Sequence, residues 1–216
     1  AFVGMSFVVL AVSYIVGSIP FGLVLGKLNR IDIRQHGSGN IGATNIARLI
    51  GRDWGIACFI LDFLKGLIPV LIIRLITLND TALDTFLPMI AAAAAICGHI
   101  WPVFLRFKGG KGMSTSLGAL TALAPLAVAV AMVGWYIVFN MYRYVSLASI
   151  AGAILLPISN LLLQLFSGDN VNYATTILFV FICVVIIIRH KSNIHRLING
   201  TENKFSQQSK SKDSNQ

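Results

Sequence analysis

Long apolar runs alternate with short polar segments along the whole chain. Several of these runs approach the ~20 residues that a helix needs to cross the hydrocarbon core of a bilayer. They predict membrane-spanning helices at residues 2–28, 54–77, 86–104, 113–140, 145–166 and 173–188. The pattern indicates an all-α polytopic membrane protein. We expect the first run to be a retained helix rather than a signal peptide, because no basic segment precedes it.

The number of crossings depends on the run at 113–140. As one helix it gives six spans and places the basic segments around Arg34 and Arg189 on opposite sides of the membrane, against the positive-inside rule. Divided at Pro125 it gives seven spans, and every loop with Lys or Arg lies on one side. We therefore expect a bundle of seven transmembrane spans, with the N-terminus outside, the C-terminus cytoplasmic and one pair of short spans. The short spans would be 112–124 and 126–141, and the outer loops would keep Asp80, Asp84 and Asp169.

Composition agrees with this class. Of the 216 residues, 56% are apolar and 12% are charged, which is far outside the range of soluble proteins. The length predicts one integral-membrane domain at 1–205, and 206–216 has the composition of a disordered polar tail. A net charge of +9 would suggest nucleic acid in a soluble protein. Here the basic loops would face membrane lipid and anionic substrates, so we expect no nucleic-acid partner. The three cysteines lie in apolar runs without a CxxC pair, and no disulfide is expected.

A glycine and lysine hairpin, FKGGKG at 107–112, separates two apolar runs. Glycine allows close backbone approach, successive N–H groups can form a nest around an anion, and Lys108 and Lys111 add positive charge. A stretch of this kind, taken alone, is more often an ordinary basic turn. The other polar segments on the same membrane face make an anion site the better interpretation.

A second glycine-rich segment, GSGNIGATN at 37–45, leads to Arg48. It offers hydroxyl and amide donors, and a helix starting near Ile41 would direct its free N–H groups at an anion. The GSGN sequence alone is a common turn. Its combination with Arg48 and with a basic hairpin on the same face favours a phosphate site.

Two further polar segments reach this face, SLAS at 146–149 and the stretch 189–202 after the last span. In a short helix the second stretch would align three side chains on one stripe: His190, Asn193 and Arg196. Within the spans, His99 is either a catalytic base or a histidine bonded to a neighbouring carbonyl, and the sequence favours neither. The spacing of Asp62 and Lys65 favours a structural ion pair.

Familiar catalytic motifs are missing from the sequence. It contains no GxSxG, no HExxH and no His-x₄-Asp. Acids on the predicted cytoplasmic side are few and scattered, so we expect neither a metal site nor a cofactor. The predicted site is cationic, rich in amides and poor in nucleophiles.

Taken in chain order, these segments resemble the bacterial PlsY family, membrane glycerol-3-phosphate acyltransferases that use acyl phosphate as donor. The resemblance covers nearly the whole chain up to Glu202 and rests on GSIPFG, GSGNIGATN, GH with FKGGKG, SLAS, and the last polar stretch. Ile41, where the family often has proline, is a departure that removes no donor group. The resemblance implies seven spans in the bacterial inner membrane and an active site that faces the cytoplasm.

The resemblance also implies the reaction. An acyl group would pass from acyl phosphate to glycerol 3-phosphate, giving lysophosphatidic acid and phosphate, the first acylation of phospholipid synthesis. The expected catalytic residues are His99, Lys108 and Ser38. The expected substrate-binding residues are Ser38, Asn40, Thr44, Asn45, Arg48, Lys108, Gly109, Gly110, Lys111, Gly112, Ser146, His190, Asn193, Arg196 and Glu202. The expected partners are both substrates, membrane lipid and an upstream enzyme that forms acyl phosphate.

The chemistry of the donor fits this set. Acyl phosphate is a mixed anhydride whose leaving group needs little acid assistance, so orientation and oxyanion donors are what the enzyme must supply. We expect direct transfer, with His99 or a substrate phosphate oxygen taking the hydroxyl proton, and Glu202 ordering the tail by pairing with Arg196. Two alternatives remain: a phosphate or phosphate-ester transporter, which short spans beside a polar cavity would suit, and a structural subunit of a lipid-enzyme complex.

Overall fold

The computed structural model describes residues 2–78, 81–168 and 171–205, which form helices and loops without a β-strand. The helices are α1 (Phe2–Ser18), α2 (Phe21–Leu28), α3 (Ala43–Leu49), α4 (Arg52–Thr77), α5 (Thr81–Ile100), α6 (Met113–Leu123), α7 (Pro125–Tyr142), α8 (Val145–Ser167), α9 (Tyr173–Arg189) and α10 (Lys191–Ile198). A 3₁₀ turn at Val103–Leu105 follows α5. The predicted disordered tail at 206–216 and the predicted outer-loop acids Asp80 and Asp169 lie outside the described residues.

Most of these helices are long and apolar enough to cross a membrane. Within the described residues, five segments meet this description: Val3–Leu28, Arg52–Thr77, Thr85–Leu105, Pro125–Tyr142 and Val145–Ser167. The pair α9 and α10 makes a sixth, bent by 58°, and α6 is a shorter apolar helix. The structure confirms an all-α membrane protein with several spans, and the number of crossings depends on α6.

The first apolar run, expected as one helix at 2–28, is broken next to Pro20. The first helix ends at Ser18 and the next begins at Phe21, because Pro20 has no N–H to continue the ladder. At the break the Ile19 carbonyl accepts from the Phe21 amide at 3.1 Å and from the Lys65 amine of α4 at 2.7 Å. Asp62 lies 2.8 Å from the Lys65 amine, so the predicted ion pair is confirmed.

The run at 113–140 is also broken, at Ala124, immediately before Pro125. The backbone of Ala124 leaves the helical region, with φ −146° and ψ 74°. Arg74 of α4 donates to the Ala122 carbonyl in the last turn of α6, where a cation is favoured by the helix dipole. The first residue of α6, Met113, and the last turn of α7, at Phe139, line the same cavity. The chain therefore reverses direction at the break.

Close packing against α4 holds the short helix inside the bundle. A methyl group added to Gly118 of α6 would overlap the Phe63 carbonyl, and one added to Gly66 of α4 would overlap the Thr115 carbonyl. Small residues at such a crossing let the two backbones approach closely. Such packing supports helix association within a membrane, where the hydrophobic effect does not drive helices together. The glycines thus allow a helix too short to span the hydrocarbon to be shielded by protein.

The polar segments meet at one end of the bundle, which we call the cavity end. The loop before α3, the hairpin 107–112, the start of α8, and α10 all contribute residues there. This end is where the chemistry of the molecule is concentrated.

Candidate active site

A cavity of about 570 Å³ opens at the cavity end. Its lining includes most of the predicted site residues: Ser38, Asn40, Thr44, Asn45, Arg48, His99, Lys111, Gly112, Ser146, His190, Asn193, Arg196 and Glu202. The structure therefore brings together the four segments that the sequence places on one face. The lining also includes apolar side chains, among them Ile56, Phe59, Leu117, Met132, Trp135 and Phe139.

The glycine loop at 37–45 is built around the side chain of Asn45. The Oδ1 atom of Asn45 accepts from the Ser38 amide at 3.0 Å. Its Nδ2 atom donates to three carbonyls at 2.9–3.2 Å, those of Ile33, His36 and Asn40. These bonds occupy both ends of the carboxamide, so Asn45 shapes the loop. Ser38 and Thr44 are left at the cavity surface.

The hairpin does not present the open nest of amides that its sequence suggests. The Gly109 and Gly110 amides donate to the Ile100 and His99 carbonyls at 3.2 and 3.1 Å, so an anion cannot use them without breaking these bonds. The side chain of Lys108 is exposed, and Lys108, Gly109 and Gly110 are not among the residues that line the cavity. Their substrate roles, and the catalytic role of Lys108, stay predictions.

Lys111 is the cation that the hairpin contributes to the cavity. Its Nζ atom donates to Oδ1 of Asn193 in α10. Burial lowers the pKa of Lys111 to about 8, the guanidinium groups of Arg196, Arg48 and Arg189 act in the same direction, and Glu202 opposes them. Of the two hairpin lysines, Lys111 is therefore the one that lines the cavity.

The last described residues, 199–205, extend along the cavity. Arg48 donates to the Asn203 carbonyl at 3.2 Å, and the Phe205 ring packs on Phe139 with 5.9 Å between centroids. In the same segment, the Glu202 carboxylate accepts three hydrogen bonds at 2.7–2.8 Å, from Ser146, Asn193 and Arg196. The predicted pairing of Arg196 with Glu202 is confirmed.

The Glu202 carboxylate shows what this part of the cavity can bind. Burial would raise its pKa, but the hydrogen bonds from Asn193, Ser146 and Arg196 outweigh burial and lower it. Three donors that the sequence assigns to substrate therefore hold an anion jointly. Charge-assisted bonds of this kind are shorter and stronger than neutral ones.

Cations outnumber acids in the lining. The cations are Arg48, Arg52, Lys111 and Arg196, and the acids are Asp62 and Glu202. Burial lowers the pKa of Arg48, which nevertheless stays a cation. Arg52 and Asp62 are cavity residues that the sequence did not assign to the site. The available signals were a cation at the first turn of an apolar run and a buried acid within it.

The two cavity histidines have different surroundings. His190 has its Nδ1 atom 2.8 Å from the Ile186 carbonyl, so Nδ1 carries the proton and Nε2 is the free acceptor of the neutral ring. His99 is buried, with Nδ1 3.1 Å from the Thr115 hydroxyl and 3.7 Å from the Asp62 carboxylate. Its Nε2 atom lies against Gly110, so closely that a methyl group there would overlap it. His99 is nevertheless one of the residues that line the cavity.

Comparison with known proteins decides the family. A sequence profile described as Glycerol-3-phosphate acyltransferase matches residues 7–200. The chain belongs to this family. The proteins of this description from Syntrophotalea carbinolica and Trichlorobacter lovleyi are 45% and 48% identical to it. The alignments cover 92% and 91% of this chain and 97% and 95% of those proteins.

Two solved structures have the same fold. Both are crystal structures of PlsY (YgiH), an integral membrane glycerol 3-phosphate acyltransferase. The glycerol 3-phosphate form is 39% identical with a TM-score of 0.82, over 93% of this chain and 96% of that one. The lysophosphatidic acid form is 38% identical with a TM-score of 0.79, over 93% and 95%. The family predicted from the motifs is confirmed, and the chain is an integral membrane acyltransferase rather than a transporter or a structural subunit.

Proposed function

We propose that the protein transfers a fatty acyl group from acyl phosphate to glycerol 3-phosphate, giving lysophosphatidic acid and inorganic phosphate. The observation that carries this proposal is the mixed lining of the cavity, in which the cations outnumber the acids and many of the other side chains are apolar. A pair of substrates with two phosphates and one long hydrocarbon chain matches both kinds of side chain. The relatives named for glycerol 3-phosphate support the choice of acceptor.

The phosphates are assigned to the cationic and polar side chains of the lining. The donor phosphate would contact Ser38, Asn40, Thr44, Lys111 and Gly112. Glycerol 3-phosphate would contact Arg48, His190, Asn193 and Arg196. The carboxylate of Glu202 supports the assignment, because two of these side chains, Asn193 and Arg196, hold it together with Ser146, and phosphate prefers the same donors. Each charge-assisted contact is worth about 1.5–3 kcal/mol.

The acyl chain is assigned to the apolar side chains of the lining. A second cavity of about 50 Å³ lies deeper, between α6, α7 and α8. It shares with the main cavity the side chains of Met113, Leu117, Met132 and Trp135. A hydrocarbon chain that leaves the reacting carbonyl at the cavity can continue along these residues. Burying each CH₂ group contributes about 0.8 kcal/mol.

The reaction is a direct transfer in which the glycerol hydroxyl oxygen attacks the acyl carbonyl carbon. The bond from that carbon to the phosphate oxygen breaks, and the hydroxyl proton moves to a phosphate oxygen, so the products are an ester and inorganic phosphate. We assign the proton to a phosphate oxygen because that oxygen belongs to the reacting donor itself, whereas the Nδ1 atom of His99 faces the Thr115 hydroxyl and the Asp62 carboxylate. His99 would then support the site without taking the proton.

We place this cavity at the cytoplasmic face of the bacterial inner membrane, in a bundle of seven spans with the N-terminus outside. The reversal at Ala124 supports two crossings by α6 and α7. The positive-inside rule supports the orientation, because the loops at this end carry Lys27, Arg30, Arg34, Arg106, Lys108 and Arg143. Because acyl phosphate is a reactive anhydride, the donor would come from an upstream enzyme that forms it.

The test is release of inorganic phosphate by the purified protein in detergent or vesicles. Phosphate should be released from acyl phosphate only when glycerol 3-phosphate is present, and lysophosphatidic acid should form in equal amount. Parallel reactions contain acyl-CoA in place of acyl phosphate, or a chelator. Turnover of acyl-CoA at a comparable rate, or complete loss of activity with the chelator, would contradict the proposed donor and the metal-independent mechanism.

A further inference from the structure

Arg189, the last residue of α9, is bonded to the hairpin rather than to the cavity. Its Nη2 atom donates to the carbonyls of Gly109 at 3.2 Å and Gly110 at 3.1 Å, and its Nε atom donates to the Gly110 carbonyl at 3.3 Å. Arg189 is half-buried and is not among the residues that line the cavity. A cation beside an anion site therefore directs its donors at backbone oxygens.

The other edge of the same two peptide groups is bonded to the end of α5. The Gly109 amide donates to the Ile100 carbonyl, and the Gly110 amide donates to the His99 carbonyl. The fit is close, because a methyl group on Gly109 would overlap the His99 carbonyl and one on Gly110 would overlap the His99 ring. The two glycines are held from both sides, by α5 through their amides and by α9 through their carbonyls.

This arrangement fixes the position of the next residue, Lys111. The lysine leaves the held segment and reaches Asn193, which lies one turn beyond Arg189 in the adjoining helix. A lysine side chain is flexible and loses much rotamer freedom when it is bound in one place. A backbone anchored immediately before it lowers that cost, because fewer of its degrees of freedom remain to be ordered.

We infer that Arg189 is a positioning residue of the acyltransferase: it anchors the carbonyls of Gly109 and Gly110 so that Lys111 is presented to a substrate phosphate. The inference rests on the proposed function only for the identity of that substrate. Arginine suits the task because its planar guanidinium directs several donors in fixed directions, whereas a lysine amine is a single point charge. The shape of the side chain, as well as its charge, should therefore matter.

The test begins with Arg189→Lys, which keeps the charge and removes the forked donors. We expect the KM for acyl phosphate or for glycerol 3-phosphate to rise at least about fivefold while kcat stays within about threefold. The reason is that Lys111 still reaches the site in this variant but becomes ordered only when substrate binds. Arg106→Lys is the matched control, since it makes the same exchange on an exposed side chain three residues before Gly109. It should leave both constants unchanged.

Hydrogen exchange provides a readout that does not depend on activity. In Arg189→Lys the amides of Gly109 and Gly110 should exchange faster, while those of α7 and most of α9 stay protected. Faster exchange throughout α9 would indicate a general structural role and would overturn the inference, as would unchanged exchange in the hairpin. Should Arg189→Lys fail to fold, Arg189→Gln takes its place with the same expectations.

A double-mutant cycle with Lys111→Ala separates indirect action from direct contact. If Arg189 acts through Lys111, adding Arg189→Lys to Lys111→Ala should cost less than about twofold in kcat/KM. Fully multiplicative losses would mean that Arg189 contacts substrate independently, and the inference would be wrong. If the wild-type protein does not use glycerol 3-phosphate, the proposed function fails, and the exchange comparison alone decides whether Arg189 anchors the hairpin.

Discussion

At the scale of single residues, the binding of two phosphates depends on how the cavity controls its own positive charge. Lys111 is surrounded by Arg48, Arg196 and Arg189, and burial together with this neighbourhood lowers its pKa to about 8. Glu202 offsets part of the repulsion when substrate is absent, since its carboxylate holds Arg196 at 2.7 Å. A bound phosphate can take the place of this carboxylate as the partner of the cations, because it carries more negative charge and more acceptor oxygens. The lining is therefore arranged to favour an anion.

The two hairpin lysines should differ in their effect on activity. Lys111→Ala should lower kcat/KM at least about tenfold, because a charge-assisted phosphate contact of about 1.5–3 kcal/mol is lost. Lys108→Ala should stay within about threefold, since its side chain is exposed and outside the cavity lining. Lys191→Ala, another exposed cation, is the control for a general loss of surface charge. Equal losses at Lys108 and Lys111 would contradict the geometric assignment.

Activity should also fall as the pH rises through about 8. Below that pH Lys111 is a cation and can bind phosphate; above it the amine is neutral and the charge-assisted contact is lost. In Lys111→Arg the guanidinium stays charged, so the fall in kcat/KM should move to higher pH by at least about one unit. The measurement is the pH profile of kcat/KM for the two proteins. An identical alkaline limb in both would show that another group titrates there.

Much of the site was predictable from the sequence at this scale, but the choice between the lysines was not. Residue type and spacing place GSGN, FKGGKG, SLAS and the last polar stretch near one another. Which lysine points inward depends on the path of the hairpin, in which Arg106 and Phe107 have positive φ of 50° and 62°. Hydrogen bonds to α5 and α9 fix that path. Local sequence patterns do not encode these bonds, because they join residues that are far apart in the chain.

At the scale of helices, α4 is the element that stabilises both breaks. The sequence leaves two cations inside spans, Lys65 and Arg74, and the structure gives each a carbonyl at a broken helix end. Unpaired backbone groups cost several kcal/mol each in hydrocarbon, so each break needs such a donor. Pro20 and Pro125 lie at the breaks, but Pro69, Pro88 and Pro157 lie inside continuous helices. The donors that compensate for the breaks could not be predicted, because they come from a different helix.

The two glycines of α2, Gly22 and Gly26, pack closely against loop backbone and side chains. Gly22 and Gly26 suggest a face for close packing against another helix. In the structure a methyl group on Gly22 would instead overlap the Ile41 carbonyl, and Gly26 lies against Ile31 and Ile33. The small-residue face thus accommodates the glycine loop of the active site. Residue size predicts a close approach but does not identify what approaches.

The contact between α4 and α6 should be sensitive to one methyl group. Gly118→Ala should lower the melting temperature and the yield of extractable protein, because the added Cβ overlaps the backbone of Phe63, which cannot rotate away. The cost of such overpacking is about 1–3 kcal/mol. Gly4→Ala is the control, since a methyl group there meets nothing within 4 Å. Equal thermal stability of Gly118→Ala and wild type would mean that α6 can shift without cost.

At the scale of the whole molecule, the path of α6 and α7 decides where the active site faces. If α6 and α7 each cross the membrane, the loop before α3, the hairpin 107–112 and α10 share one side, as the cavity requires. If α6 and α7 together cross only once, α10 lies on the opposite side of the membrane from the loop and the hairpin. The structure brings α10 within bonding distance of the hairpin through Lys111 and Asn193, which favours two crossings.

Labelling of single cysteines tests this topology in intact cells. On a background without the native cysteines Cys58, Cys97 and Cys183, we expect an impermeant thiol reagent to modify Ser167→Cys from outside. Ser192→Cys should react only after the membrane is permeabilised, because seven spans place α10 in the cytoplasm. A path with six spans reverses both results, since removing one crossing moves everything after α7 to the other side.

Gln35→Cys controls for leakage of the reagent. It precedes α6 and α7 and should be protected in either case. Modification of Ser192→Cys with protection of Ser167→Cys would rule out seven spans, and the active site could not then be assembled on the cytoplasmic face.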